Sequence, residues 1–155
     1  MSSKTMYYYQ SPIGVLELTA NDTALTGLSL AKEGEGQKAK GENRIIQQTC
    51  SQLDEYFAGK RKTFELPLAP AGTGFQEKVW EELQRIPYGK TISYAQLAQA
   101  VDNPKACRAV GSANGKNPIA IIIPCHRVIN ANGKLGGYAL GLDIKKQLLD
   151  LEEKF

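Results

Sequence analysis

The chain has 155 residues, 42% of them hydrophobic and 23% charged, with a formal net charge of +3. That balance places it among soluble globular proteins able to bury a core in one domain or two small ones, and it is too weakly basic to argue for nucleic acid by itself. No apolar run approaches the ~20 residues needed to span a bilayer, and Met1-Ser-Ser-Lys-Thr5 lacks the apolar core of a secretory signal, so no membrane partner and a cytoplasmic location are expected.

From Tyr7 to Leu30 apolar residues alternate with polar ones and turns interrupt them. Tyr7-Tyr8-Tyr9 is followed by Ser11-Pro12-Ile13-Gly14, then Val15, Leu16 and Leu18, then Asn21-Asp22, then Leu25, Leu28 and Leu30. This pattern predicts an antiparallel meander. Ala31 to Glu42 is Lys, Glu and Gly with almost nothing apolar, and reads as a solvated surface loop. Ile45, Ile46, Thr49, Cys50, Leu53, Tyr56 and Phe57 recur at helical spacing, with Gly59 where a C-terminal cap stands. Cys50 lies on that apolar stripe and reads as core.

The Pro- and Gly-rich segment Leu66-Pro-Leu-Ala-Pro-Ala-Gly-Thr-Gly74 marks a boundary between residues 1–70 and 71–155. Beyond it, Phe75, Val79, Leu83 and Ile86 mark a helix stopped by Pro87-Tyr88-Gly89-Lys90, and Tyr94, Leu97 and Ala98 mark a short second helix. Asn103 and Pro104 supply an N-cap and an N1 proline for a third helix running to about Asn114. Two short helices joined through Val101-Asp102-Asn103 suit a helix-turn-helix. The third helix is thin, carrying Ala106, Ala109, Gly111, Ser112, Ala113 and Gly115, with Arg108 as its long side chain. Such a helix packs tightly on a neighbour or enters a narrow DNA groove; the pattern leaves both open.

Ile119-Ala-Ile-Ile-Ile123 reads as a buried, strand-like run that ends abruptly in Pro124-Cys125-His126-Arg127-Val128. A thiol acts as a nucleophile only as thiolate, which a neighbouring base or cation makes accessible. His126 is the chain's only histidine, although neighbours in an extended segment point to opposite faces, so the pair alone is weak evidence. The other cysteines, Cys50 and Cys107, complete neither a zinc spacing nor a redox C-x-x-C pair with it. Cys107 reads as one more small residue of the third helix, or as a redox-sensitive or secondary alkylation site.

Taken together, seven blocks resemble the O6-alkylguanine-DNA alkyltransferases. They are Phe75-Gln-Glu-Lys-Val-Trp80, Ile86-Pro-Tyr-Gly-Lys90, Thr91-Ile-Ser-Tyr-Ala-Gln-Leu-Ala98, Arg108-Ala-Val-Gly111, Asn117-Pro118, the run from Pro124 to Val128, and Gly136-Gly-Tyr138. The N-terminal half matches loosely, through Ser11-Pro12-Ile13-Gly14 and the strands after it. The resemblance implies a small α/β, ribonuclease H-like domain over 1–70 and a mainly α winged helix-turn-helix domain over 71–155 that binds DNA through the minor groove. It implies that Cys125 accepts the alkyl group irreversibly, that His126 takes its proton through a water, that Glu152 polarises the histidine, and that Asn117 pins the turn beside the recognition helix. Arg108 would fill the gap left by the extruded base, Tyr94 would turn the backbone and contact that base, and Tyr138 would wall the pocket. The backbone of Cys125, Val128 and Ala139 would bond the guanine edge. The partner implied is double-stranded DNA carrying O6-alkylguanine, with O4-alkylthymine as an alternative lesion, bound by a monomer without cofactor.

Some members of that family hold zinc in the first domain; with one cysteine and no histidine in that half, no metal is expected here. Ala120 and Leu140 stand where other members carry proline, glycine or tryptophan, which bears on tolerance of bulky alkyl groups. Two other readings compete: a thiol hydrolase built on Cys125, His126 and Glu152, against which stand the helix-turn-helix and the lack of an oxyanion motif, and a binding module that regulates or flags lesions, whose alkyltransferase-like examples lack the acceptor cysteine.

Overall fold

The alternation between Tyr7 and Leu30 is realised as three antiparallel strands in sequential order, β1 (Thr5–Ser11), β2 (Gly14–Ala20) and β3 (Leu25–Leu30). The computed structural model describes residues 5–31, 43–130, 132–134, 136, 138 and 140–155; the expected loop to Glu42 lies, beyond Ala31, outside them. Register pairs Tyr9 with Leu16 and Leu18 with Leu28, so the period-two positions collect on one buried face. Against β1 and β2 lies α1 (Arg44–Phe57), with Ile46, Leu53 and Tyr56 buried. Asn43 Oδ1 caps it by accepting from the Ile46 N–H, and Gly59, at φ 75°, closes it, as the spacing predicts. Cys50 corrects one expectation: it sits at the edge of the stripe beside Asp54 and is only half-buried. The Leu25 N–H donates to Pro67 O at 2.8 Å and the Ala69 N–H to Leu25 O at 2.8 Å, which pins the start of the Pro-rich segment to β3. The chain forms two compact units, Met1–Pro70 and Ala71–Phe155.

The second unit is mainly helical. Thr73 and Gln76 form a reciprocal capping box that starts α2 (Gly74–Leu83). The same device, Ser93 with Gln96, starts α3 (Tyr94–Ala100) straight after the two-residue strand β4 (Ile92–Ser93). Strand β4 pairs in parallel with β5 (Val128–Ile129). Helices α2 and α3 both pack on α4 (Cys107–Gly115), where Trp80 Nε1 donates to Ala113 O at 2.8 Å. The chain ends in α5 (Leu142–Lys154), whose buried positions Ile144, Lys145, Leu148 and Glu152 follow one helical face.

Two local expectations are corrected. Asn103 and Pro104 do not open the third helix; they form a turn in which the Ala106 N–H donates to Asn103 O at 2.9 Å, with proline second in the turn. Helix α4 therefore starts at Cys107, and six residues, not three, link it to α3. The run from Ile119 to Ile123 is buried but is not a strand. It is a tight, irregular turn with Ile121 at φ 72°, a strained conformation for a β-branched residue. The side chain of Asn117 stands in for a partner strand, accepting from the Ile119 N–H at 3.0 Å and donating to Ile123 O at 2.7 Å.

Candidate active site

That turn delivers the chain into a single 3-10 turn over Cys125, His126 and Arg127, all buried, rather than into extended backbone. The turn removes the objection that successive side chains diverge, because His126 and Arg127 converge on one carboxylate. His126 Nε2 lies 2.6 Å from Glu152 Oε2, and Arg127 grips the same group side-on, Nε on Oε1 at 2.7 Å and Nη2 on Oε2 at 3.0 Å. Nη1 of Arg127 donates to Ile86 O at 2.7 Å, and the Gly89 N–H reaches Glu152 Oε1 at 3.3 Å. With four donors around it, Glu152 is held down to about pKa 2 despite its burial, by its hydrogen bonds to His126 and Arg127 and by the charge of Arg127.

An ionised Glu152 accepting at His126 Nε2 selects the tautomer in which Nε2 carries the proton and Nδ1 is the acceptor. Nδ1 is buried and meets no hydrogen-bond partner among the described residues. Burial lowers the histidine's proton affinity below its ordinary value, outweighing the carboxylate, so the imidazole is neutral at rest and able to take a proton. Burial also dominates at the thiol: only 1% of Cys125 is exposed, and its pKa is pushed up to about 11 even though Asn117, Lys145 and Tyr138 all pull it down. The resting group is therefore a thiol, and a thiolate arises only during reaction.

The remaining expected residues gather round it unevenly. Tyr138 lies beside the thiol with its hydroxyl buried and meeting no hydrogen-bond partner among the described residues, and it stands edge-on to the His126 ring, centroids 6.5 Å apart. Tyr94, at the start of α3, has its pKa raised by burial and then by the nearby thiol, and its ring fits against the Cβ-free faces of Gly111 and Gly136. Val128 is buried and its carbonyl accepts from Lys145 Nζ at 2.6 Å. Arg108 is not part of this cluster: it is exposed on α4, on a face it shares with Ala109, Ser112 and Gly115 and beside exposed Cys107. Ala139 lies outside the described residues. Sequence reasoning missed Arg127, Lys145 and Asn114, the last donating to Cys125 O at 3.4 Å. A lysine on the apolar stripe of the last helix was the available signal for one of them. Among the described residues no group of three His, Cys, Asp or Glu side chains could hold a metal ion, and no helix is long and apolar enough to cross a membrane.

Residues 74–154 match the family model described as 6-O-methylguanine DNA methyltransferase, DNA binding domain, and residues 5–70 match that family's ribonuclease-like domain. A methylated-DNA–protein-cysteine methyltransferase from Methanosarcina mazei is 51% identical over 96% of this chain and 98% of its own. A constitutive one from Bacillus subtilis is 46% identical over 95% of this chain and 96% of its own. The crystal structure of Mycobacterium tuberculosis OGT in complex with DNA superposes with a TM-score of 0.88 at 44% identity, covering 96% of this chain and 92% of that one.

Proposed function

Because the chain belongs to the 6-O-methylguanine DNA methyltransferase family, we propose that it repairs alkylated DNA directly, moving the alkyl group of O6-alkylguanine onto Cys125 and keeping it there. The observation that carries the reading is a buried thiol one residue from a neutral histidine whose outer nitrogen is fixed by an ionised carboxylate. The second unit enters the minor groove of duplex DNA as a monomer, with the exposed small-residue face of α4 against it. The O6 alkyl carbon faces the major groove, so the base is flipped out to react, at a cost of a few kcal/mol in unstacking. Arg108 fills the gap in the stack and Tyr94 turns the backbone. Tyr138 walls the pocket, and the backbone of Cys125, Val128 and Ala139 holds the guanine edge. O4-alkylthymine is the alternative substrate of the same pocket.

In the transfer the thiol proton passes through a bridging water to His126 Nδ1, and Glu152 compensates the imidazolium charge. The sulfur lone pair forms the new S–C bond as the C–O6 bond breaks, its electron pair leaving on the guanine oxygen. The proton held by His126 then neutralises the guanine. Thiol and O6-alkylguanine become thioether and guanine with no co-reactant. A thioether has no easy hydrolytic exit, so each chain acts once. Asn117 holds the turn that carries the thiol. Cys125→Ser tests the assignment: transfer from O6-methylguanine DNA should vanish while duplex binding stays within about threefold, since serine is nearly isosteric but far less readily ionised. Methyl transfer by the serine variant would move the acceptor elsewhere.

A further inference from the structure

Lys145 is the one lysine in the buried stripe of α5, and its residue is fully shielded from solvent. Burying an ammonium is expensive, and a methionine would fill similar space without that cost. The ammonium is held by Val128 O at 2.6 Å, three residues along the chain from the acceptor thiol. A carbonyl satisfies a donor without neutralising a charge, so its field acts on what lies nearby. We propose that Lys145 is a positioning residue for the transfer: its buried ammonium fixes the Val128 carbonyl at the pocket edge and offsets the negative charge that forms on Cys125 Sγ when the proton leaves.

The division of labour among the charged groups supports this. Arg127 and Glu152 compensate each other at the outer nitrogen of His126, leaving that array little net charge to offer the sulfur. Tyr94 and Tyr138 face the thiol but are neutral, with proton affinities raised by burial and by the thiol itself. Lys145 is the cation whose attraction lowers the thiol's pKa, and the thiol in turn raises that of the lysine. Burial nevertheless brings Lys145 down to about 8, so it is charged at neutral pH and loses that charge just above it. The cation is thus present over the range in which a repair protein works. The inference deepens the transfer reading and rests on Cys125 as the acceptor.

The test reads the thiol without DNA. Alkylation of Cys125 by iodoacetamide is followed by peptide mass against pH in the full chain and in Lys145→Gln, Lys145→Met and Lys145→Arg. The Gln variant keeps a donor and loses the charge, the Met variant loses both, and the Arg variant keeps the charge. A nearby opposite charge shifts a pKa by about one to three units, so Gln and Met should alkylate at least about tenfold more slowly and their rising limb should move up by about a unit or more, with Arg within about threefold of wild type. A Gln variant with the wild-type rate and pH limb overturns the proposal, as does a slowing no larger than its loss of folded protein read by thermal melting. Failure of the unmodified chain to take a methyl from O6-methylguanine DNA would remove the repair reading, while the iodoacetamide comparison still decides the role of Lys145.

Discussion

Glu152 shows how one carboxylate joins chemistry to structure. It receives His126, the Nε and Nη2 edge of the Arg127 guanidinium and the Gly89 amide, so removing its charge affects the base and strands a buried cation together. Glu152→Gln should slow transfer by roughly 10²-fold, within the range for a positioned general base, and move its rising pH limb upward, because a histidine of weakened proton affinity no longer takes the thiol proton and the reaction falls back on the thiol's own ionisation, pushed up by burial to about 11. The orphaned Arg127 should also cost about 3 kcal/mol of stability. Rates per folded molecule separate the two effects; an unchanged rate and pH profile on that basis would end the relay. The importance of Cys125, His126 and Glu152 was legible only through the resemblance, since nothing in local spacing predicts that residues 26 apart meet at 2.6 Å. Arg127 escaped notice because an extended reading of the segment points it away from the histidine, whereas the 3-10 turn brings both to the same acceptor.

Elements differ in how openly they announce themselves. Strands β1 to β3 and helix α1 follow directly from period and capping, because each buries one face of a regular repeat. The run from Ile119 to Ile123 does not, since five apolar residues look the same whether their backbone bonds go to a strand or to an asparagine. Asn117→Ala leaves the Ile119 N–H unpaired in the interior, while Ile123 O keeps the Cys125 N–H as a donor, so one desolvation penalty of about 1–3 kcal/mol is lost. Its melting temperature should fall by several degrees, and the transfer rate should fall more than the folded fraction, because the turn also presents the thiol. Equal falls would reduce the turn to scaffolding. In α4 the misread start matters little, but the small-residue face matters for what it displays. Arg108→Ala should slow repair of duplex DNA sharply, at unchanged melting temperature, while free O6-alkylguanine base, which needs no flipping, reacts within about threefold of the wild-type rate. Equal losses on both substrates would assign Arg108 to folding or to the thiol.

At the scale of the whole molecule, the chain forms two compact units that meet in sequence at a Pro-rich segment, and every residue of the proposed site belongs to the second. A net charge of +3 said nothing of DNA, and rightly so: the exposed small side chains and Arg108 on α4 are a local feature that an average over 155 residues dilutes. What the whole chain does as a reagent follows from the product. A buried thioether has no water-driven return to thiol, so turnover should stop when every chain has reacted. Intact mass spectrometry during incubation with excess O6-methylguanine duplex, followed by peptide mapping, tests this most directly. Each chain should gain one methyl, located on the peptide containing Cys125, with lesions removed equal to protein added. Lesions cleared in large excess over protein, or a methyl found on Cys50 or Cys107 with Cys125 unmodified, would contradict it.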